Sequence, residues 1–398
     1  MPKVLHILHS LRFSGAEVML RLAAPTMRSW GVEQHLLADG AVVGEYAPAM
    51  AEQGLAVHHL PWPYGRFRPR HLWRLYRFLR QHRFEVVHNH TEQSLLQYLL
   101  VARLAGVRTL VSTVHGSYAF RGEVRLRRGL YRWLARQLGT TFTAIGPSVA
   151  AVELRTFRNP TTLVPNWLDE NRFVPARDEA ERAAARRRFA VPEGTLVLLS
   201  VGACSPTKNH AAILAALAAL RGRVAAPLLY LHAGHSEHQA DEEVLAEQLG
   251  LTDIVRFVGQ LHDVRTALLA ADVFVMPSLH EGLGNSLLEA LSCGVAAVVY
   301  DVYGLRDLVH DRHNGRCVPP TVPALADALA ELLADADQRH RYGAAARRFV
   351  LDHYSMLDSL RRLHALYLRQ PLPAAAEPTA AAPVAVSAAP TEAHSVTA

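Results

Sequence analysis

Short apolar runs alternate with amphipathic helical segments along most of this 398-residue chain. Runs of this length between helical segments are typical of strands buried in parallel sheets. The predicted strands of the first half are VLHIL, EQHLLA, LAVHHL, EVVHNH, TLVSTVHG and FTAIGPS, with helices from Glu17 to about Trp30 and over 70–82 and 92–104. Those of the second half are TLVLLSVGA, APLLYLHAG, IVRFVGQ, VFVMPS and AAVVYDV, with helices over 209–220 and 240–249. The pattern predicts an α/β protein with two doubly wound parallel sheets, which bind ligands at the carboxyl ends of their strands.

Length and composition divide the chain into four predicted parts. A chain of 398 residues is longer than one hydrophobic core usually serves, and a charged stretch after Asn166 separates its halves. We therefore expect one α/β unit over residues 1–175 and a second over 176–345. Residues 346–369 are expected to form a C-terminal helix that packs back toward the first unit, because apolar residues recur there at helical spacing: Leu357, Leu360, Leu363, Leu366 and Tyr367. The Ala- and Pro-rich segment 370–398 is expected to be disordered.

The formal charge of +6 favours an anionic partner. Residues 61–83 carry seven arginines and no acid, and residues 118–137 carry six arginines and one Glu. Three interpretations are open: helices with a solvated basic side, attraction to an anionic membrane surface or a lipid-diphosphate acceptor, and binding of nucleic acid. Nucleic acid is disfavoured, because neither an aromatic platform nor a reading-helix pattern accompanies the charge.

Membrane-spanning, secreted and metal-dependent classes find little support in the sequence. The apolar runs are far shorter than the about 20 residues that a bilayer span needs, and the N-terminus is expected to be a first strand rather than a cleavable signal, which predicts a cytoplasmic protein. The three cysteines lack metal-ligand spacing, and His88, His90 and His115 lack a helical partner or an H-E-x-x-H context. We therefore expect no catalytic metal and no resident cofactor.

The stretch HEGLGNSLLEALSCG, residues 280–294, holds two glutamates around a glycine-rich loop. A strand is predicted to end before the loop and a helix to begin near Asn285 or Ser286, so the free N–H groups of the helix favour a phosphate. Glu281 precedes this helix, and Glu289 lies about one turn inside it among leucines and alanines. Carboxylates beside a diphosphate suit a ligand that also carries vicinal hydroxyls, as a nucleotide-sugar does.

Six motifs in order resemble those of glycosyltransferase family four, and the resemblance spans roughly residues 3–368. The stretch from Glu281 to Glu289 resembles the family's E-x7-E motif, and VGACSPTKNH resembles its G-R-x-x-x-x-K-[GN] segment. The other matching segments are FSGAE, STVHG, VPNWLDENRFVP and DVYGLRDLVHDRHNGRCVPP. The resemblance implies the GT-B fold: two facing Rossmann-like domains with a cleft between them, the first on the acceptor side and the second holding the donor.

The resemblance also implies which residues act. His115, Lys208 and Glu281 are expected at the reaction, with Glu281 holding the transferred sugar and Lys208 the diphosphate. Glu289 is expected to hold the ribose of the donor. The remaining expected donor-binding residues are Gly15, Gly202, Gly284, Asn285, Ser286 and Leu287. Two positions depart from the family pattern: Ala203 replaces an arginine, and Ser14 replaces the first of two glycines.

The implied function is that of a retaining, metal-independent hexosyltransferase using a UDP- or GDP-sugar. Its acceptor is expected to be a saccharide or a lipid-linked glycan, in the assembly of a bacterial surface polysaccharide, lipopolysaccharide or glycolipid, with possible peripheral attachment to the inner face of the cytoplasmic membrane. Two rival hypotheses remain open at this point. One is a nucleotide-sugar 2-epimerase, and the other is a nucleotide-binding relative without enzymatic activity.

Overall fold

The computed structural model describes residues 2–61, 69–117, 120–236 and 238–373, and these build two parallel sheets. The first sheet has seven strands in the order β3-β2-β1-β4-β5-β6-β7 within the described residues. Apolar side chains of the five inner strands are almost fully buried, which explains their near-continuous apolar sequences, whereas those of the two edge strands are half-buried. The strands are β1 (Lys3–Leu8), β2 (Glu33–Ala38), β3 (Ala56–His59), β4 (Val86–Asn89), β5 (Thr109–Val114), β6 (Thr140–Ala144) and β7 (Thr162–Leu163).

Six helices of the described residues connect these strands. They are α1 (Gly15–Ser29), α2 (Ala47–Glu52), α3 (Pro69–His82), α4 (Leu95–Leu104), α5 (Gly122–Gln137) and α6 (Pro147–Phe157). Most of them bury apolar side chains against the sheet or a neighbouring helix, whereas α5 exposes Leu126, Leu130 and Trp133. The connections between parallel strands therefore have the crossover form that a doubly wound sheet requires.

The second sheet has six strands in the order β10-β9-β8-β11-β12-β13 within the described residues. Its strands are β8 (Leu196–Val201), β9 (Leu228–Ala233), β10 (Val255–Phe257), β11 (Val273–Met276), β12 (Ala296–Tyr300) and β13 (Arg316–Val318). Its helices are α7 (Glu179–Arg188), α8 (His210–Ala219), α9 (Gln239–Gln248), α10 (Val264–Ala270), α11 (Asn285–Ser292), α12 (Val322–Ala334) and α13 (Ala336–His353). The prediction of two doubly wound parallel α/β units is confirmed.

The strand order reverses between β1 and β4 in the first sheet and between β8 and β11 in the second. A crevice opens at such a reversal, beyond the carboxyl ends of the two strands. The loop that carries Lys208 follows β8, and the loop that carries Glu281 follows β11. Because β8 and β11 pair directly in the sheet, the two loops emerge side by side.

The last described helix, α14 (Met356–Leu368), packs against the first sheet. Leu360, Leu363 and Tyr367 are buried with Val4 and Met19, as the apolar spacing predicted, whereas Leu357 of the same predicted stripe is 39% exposed. The predicted domain boundaries remain predictions. Part of the first arginine-rich stretch, residues 62–68, and the predicted disordered tail beyond residue 373 lie outside the described residues. Among the described helices, none combines the length and the apolar composition that a membrane span requires.

Candidate functional site

The loop between β11 and α11 turns sharply at Gly284, whose φ of +82° lies in the left-handed region that favours glycine. Gly284 is the N-cap of α11 and offers no side chain to cap the helix. The first N–H that bonds within the helix is that of Leu288, which donates to the Gly284 carbonyl at 3.0 Å. The amides of Asn285, Ser286 and Leu287 therefore have no acceptor within the helix, and they form an anion-binding terminus.

Lys208 and Glu281 form an ion pair beside this terminus. The Lys208 Nζ donates to Glu281 Oε1 at 2.7 Å, and the side chains are 26% and 12% exposed. The Glu281 carbonyl also accepts a hydrogen bond from Ser117 Oγ of the first unit at 2.8 Å. The sequence predicted both charged residues at one site, and the structure brings them into direct contact across 73 positions of sequence.

Two glycines allow the loops of the first unit to press against this site. A Cβ on Gly282 would lie 2.1 Å from the carbonyl oxygen of His115, so only glycine fits there. A Cβ on Gly15 would lie 2.3 Å from Nδ2 of Asn285 at the start of α11. The Asn285 Oδ1 in turn accepts from Asn166 Nδ2 at 2.8 Å. The α11 terminus is therefore enclosed between the two units.

Glu289 is half-buried on α11, and within the described part of the chain its carboxylate makes no hydrogen bond or ion pair. Burial raises its pKa to about 7, while the charge of Arg172 lowers the pKa and that of Asp263 raises it. A carboxylate held in this way loses hydration without gaining a partner. It is therefore ready to accept hydrogen bonds from a ligand.

His115 ends a chain of hydrogen-bonded imidazoles. Its Nε2 lies 3.0 Å from His90 Nδ1, and His90 Nε2 lies 3.1 Å from His6 Nδ1. Burial lowers the pKa of His115 and of His6 to about 4 and holds that of His90 well below its usual value. These rings are therefore neutral near pH 7. Each neutral ring has one N–H donor and one acceptor nitrogen, so neighbouring rings can hydrogen-bond to one another.

His88 packs in the core beside these histidines and does not line the site. It is buried, and its two ring nitrogens contact the hydroxyls of Tyr367, at 2.7 Å, and Thr113, at 2.6 Å. The structure assigns His88 to packing and makes His90 a direct neighbour of His115.

The remaining predicted residues contribute mainly backbone. Ser286 Oγ donates to the carbonyl of Val201 at 3.0 Å, and the Leu287 side chain is fully buried, so both offer a ligand their amides. Gly202 lies beneath the Lys208 side chain, since a Cβ there would be 3.5 Å from Lys208 Cε. Ala203, where the family pattern has an arginine, is exposed on the same loop.

Sequence reasoning missed a contact between the units at the edge of the site. Asp307 accepts from the Ser148 amide at 2.8 Å and from its hydroxyl at 2.5 Å. Burial raises the pKa of Asp307. The segment DVYGLRDLV was already recognised as a motif, but nothing in the sequence linked its second aspartate to a serine 159 positions away.

Among the described residues, two groups of side chains bring together atoms suited to a metal ion. One is His6, His88 and His90, whose nitrogens are largely engaged with one another and with Tyr367. The other is Cys204, His210, His232 and Glu242, behind the Lys208 loop. Neither group includes Glu281 or Glu289.

Two family models match the chain. One, described as glycosyl transferases group 1, matches residues 181–349, and the other, described as a glycosyl transferase 4-like domain, matches residues 14–167. The first match contains the Lys208 loop, the Glu281 loop and α11. The second contains the Gly15 loop and His115.

Curated proteins similar to this chain are glycosyltransferases. A D-inositol 3-phosphate glycosyltransferase of Geodermatophilus obscurus is 37% identical over 198 residues, which are 47% of this chain and 43% of that protein. The UDP-Gal:alpha-D-GlcNAc-diphosphoundecaprenol alpha-1,3-galactosyltransferase of Escherichia coli is 28% identical over 250 residues, which are 61% of this chain and 64% of that protein. The chain thus matches less than two thirds of the length of either relative.

Solved structures share the whole architecture. Anabaena HepE in complex with UDP-glucose superposes with a TM-score of 0.77 at 17% identity, covering 93% of this chain and 100% of that one. The likeness, together with the two sheets, establishes the two-domain Rossmann-like GT-B fold.

Proposed function

We propose that this chain, which belongs to the group 1 glycosyltransferase superfamily, transfers a sugar from a nucleotide-sugar to an acceptor hydroxyl with retention of configuration. The observation that carries the proposal is the Lys208–Glu281 ion pair beside the N-terminus of α11. The loops of Gly15 and His115, from the other unit, lie against this terminus. The ammonium group and the backbone amides there can bind phosphates, and the carboxylate can bind hydroxyls, so the site suits a ligand that carries both.

The donor's diphosphate would bind by exchanging ion-pair partners. Its charge competes with Glu281 for the Lys208 ammonium, while the amides of residues 285–287 receive the remaining phosphate oxygens. Once released, the Glu281 carboxylate accepts hydrogen bonds from hydroxyls of the sugar. Donor binding thus converts an internal pair into two contacts with the ligand.

Glu289 would accept both hydroxyls of the ribose. Its half-buried carboxylate lacks a partner within the described residues, and a pKa near 7 reflects the cost of that burial. Hydrogen bonds from two hydroxyl groups would stabilise the ionised carboxylate and offset the effect of its burial. Glu281 and Glu289 therefore serve different sugars of one donor.

Catalysis would depend on stabilising the departing diphosphate rather than on a carboxylate nucleophile. Lys208 and the α11 amides neutralise the charge that develops as the glycosidic bond breaks. The acceptor hydroxyl then attacks the anomeric carbon from the same face, through an oxocarbenium-like state, and its proton passes to the departing diphosphate. These groups supply the charge without a divalent ion, so we propose that transfer needs no metal at the diphosphate.

The acceptor side includes a basic helix that would meet a membrane. On α5, Leu126, Leu130 and Trp133 are 75%, 53% and 55% exposed and lie one turn apart on one face. Exposed Arg125 and Arg127 flank this apolar stripe. An apolar stripe between arginines is typical of helices that lie on anionic lipid. We propose that α5 brings the enzyme to a lipid-linked acceptor.

The proposal is tested by a thermal-shift screen with UDP-, GDP- and ADP-sugars, followed by transfer assays with the stabilising donor. A ligand at 100 times its dissociation constant adds about 2.7 kcal/mol to the stability of the protein. We expect transfer to an added acceptor in buffer without added Mn²⁺ or Mg²⁺, with the anomeric configuration of the donor retained. Conversion of the donor without an acceptor would favour the 2-epimerase, and binding without turnover across a panel of acceptors would favour the non-enzymatic relative.

A further inference from the structure

Four metal-binding side chains converge behind the Lys208 loop. Cys204 lies just after β8, His210 begins α8, His232 is on β9 and Glu242 is on α9. Their exposures are 1%, 4%, 0% and 8%, and one ligand atom from each lies within 4.8 Å of all the others. The residues come from four different elements, which explains why no spacing in the sequence revealed them.

The distances between these atoms suit a small tetrahedral ion. Cys204 Sγ lies 3.3 Å from His232 Nε2, and His210 Nδ1 lies 3.0 Å from Glu242 Oε1. Ligands about 2.0 to 2.3 Å from a tetrahedral zinc ion are about 3.3 to 3.6 Å apart, so small side-chain movements would admit the ion. The other group of the described residues, His6, His88 and His90, offers three imidazoles and neither a thiolate nor a carboxylate.

The surrounding groups hold His232 in the orientation that a metal needs. Its Nδ1 lies 2.8 Å from Ser200 Oγ, which in turn lies 2.7 Å from the Tyr230 hydroxyl. Such a partner fixes the ring and directs Nε2 toward Cys204. Zinc-binding histidines characteristically have an outer hydrogen bond of this kind.

We propose that Cys204, His210, His232 and Glu242 bind a structural zinc ion. One thiolate, two imidazoles and one carboxylate are ligands that zinc accepts, and four protein ligands close the coordination shell. On binding, the Cys204 thiol forms a bond to zinc and releases its proton to solvent.

The proposed zinc ion would also fix the position of the loop that carries Lys208. Cys204 and His210 stand on either side of Lys208, so one ion would fasten both ends of that loop to β9 and α9. The loop is already close to β9, because a Cβ on Gly234 would lie 1.8 Å from the carbonyl oxygen of Gly202. If the proposed function holds, zinc keeps the Lys208 ammonium in position for the diphosphate without touching the substrate.

The test uses the full chain without a histidine tag, loaded with zinc or cobalt and freed of loose metal by gel filtration. We expect about one metal ion per chain and, with Co²⁺, the near-ultraviolet charge-transfer absorption of a cobalt–thiolate bond together with tetrahedral d–d bands. Cys204→Ser should abolish the charge-transfer band and weaken metal binding at least tenfold. Cys293→Ser, another buried cysteine outside the group, is the matched control and should retain both.

Several results would overturn the zinc site: less than about a tenth of an equivalent of metal in the folded wild type, a cobalt spectrum without the thiolate band, or equal behaviour of the two serine variants. Circular dichroism verifies that each variant is folded. If Cys204→Ser fails to fold, the wild-type stoichiometry and cobalt spectrum still decide. Binding of UDP, GDP and ADP is measured separately on the same samples, so that zinc without binding of any of these nucleotides counts against the proposed function alone.

Discussion

Lys208 is one of two lysines in the chain, the other being Lys3. We propose Lys208 as the mobile cation of the loop that follows β8, where Ala203 stands in place of the arginine of the family pattern. We predict that Lys208→Ala lowers kcat/KM at least tenfold, because a charge-assisted contact contributes roughly 1.5 to 3 kcal/mol. Steady-state kinetics with the identified donor measure the effect.

Lys3→Ala is the control for this change. Its ammonium pairs with half-exposed Glu33 at 3.2 Å, away from the site, and an exposed pair of this kind contributes little. Activity of Lys208→Ala equal to that of Lys3→Ala would mean that the diphosphate is held elsewhere.

Burial of Glu289, the proposed ribose ligand, lowers the stability of the unliganded protein to an extent that depends on pH. Its pKa is raised from 4.5 to about 7, so the folded state holds a proton that the unfolded chain releases between these values. The stabilisation from that proton is complete below about pH 4.5 and is lost as the pH rises through 7. We predict that Glu289→Gln stabilises the unliganded protein by about 3 kcal/mol at pH 8 and by less than about 1 kcal/mol at pH 5.

Urea unfolding of the wild type and Glu289→Gln at both pH values measures this difference. Glu247→Gln, an exposed glutamate on α9, serves as the control and should change stability little at either pH. A Glu289→Gln variant that is destabilised at pH 8 would show that the carboxylate has a structural partner in solution.

At the scale of elements, the basic helix α5 has two different sides. Arg132 faces inward, is 2% exposed and binds both oxygens of Glu153 at 2.7 and 2.8 Å. Removing one partner of a buried pair leaves the other charge uncompensated. We predict that Arg132→Ala costs about 3 to 5 kcal/mol of unfolding free energy, measured by denaturant, while exposed Arg127→Ala costs less than about 0.5 kcal/mol. Similar losses in the two variants would contradict the inward pair.

The outer side of α5 is the surface that we predict to bind anionic lipid. Replacing Leu126 and Trp133 with Ser should weaken sedimentation with anionic liposomes severalfold, and added salt should weaken it further, because exposed charges are screened over about 10 Å at 0.1 M. The control is Leu351→Ser, an exposed leucine on α13. Recovery of the wild type in the supernatant whatever the lipid composition would reject membrane contact.

Helices and strands differed in how well the sequence predicted their ends. The helix expected over 70–82 is observed at Pro69–His82, because its apolar positions have a clear period. The helix expected over 92–104 begins only at Leu95. Glu92 lies before it and binds Arg128 and Arg132 of α5, a tertiary contact that no local pattern contains.

At the scale of the whole molecule, the sequence predicted the two sheets and the residues that gather at α11. Buried parallel strands have apolar sequences of their own, and the E-x7-E segment is contiguous, so both are local signals. The Lys208–Glu281 pair, the His6–His90–His115 chain and the group around Cys204 join residues far apart in sequence. Their proximity depends on the strand order of each sheet and on the contact between the two units, which one sequence does not encode in any short pattern.

The central claim is that one nucleotide-sugar lies across α11, with its sugar on Glu281 and its ribose on Glu289. Calorimetric titration of the free nucleoside diphosphate of the identified donor into the wild type, Glu281→Gln and Glu289→Gln tests it most directly, because that ligand keeps the ribose and lacks the sugar. We predict unchanged or tighter binding for Glu281→Gln, since Lys208 loses its competing partner, and about tenfold weaker binding for Glu289→Gln. Equal losses in the two variants, or a loss only in Glu281→Gln, would contradict this account of the donor site.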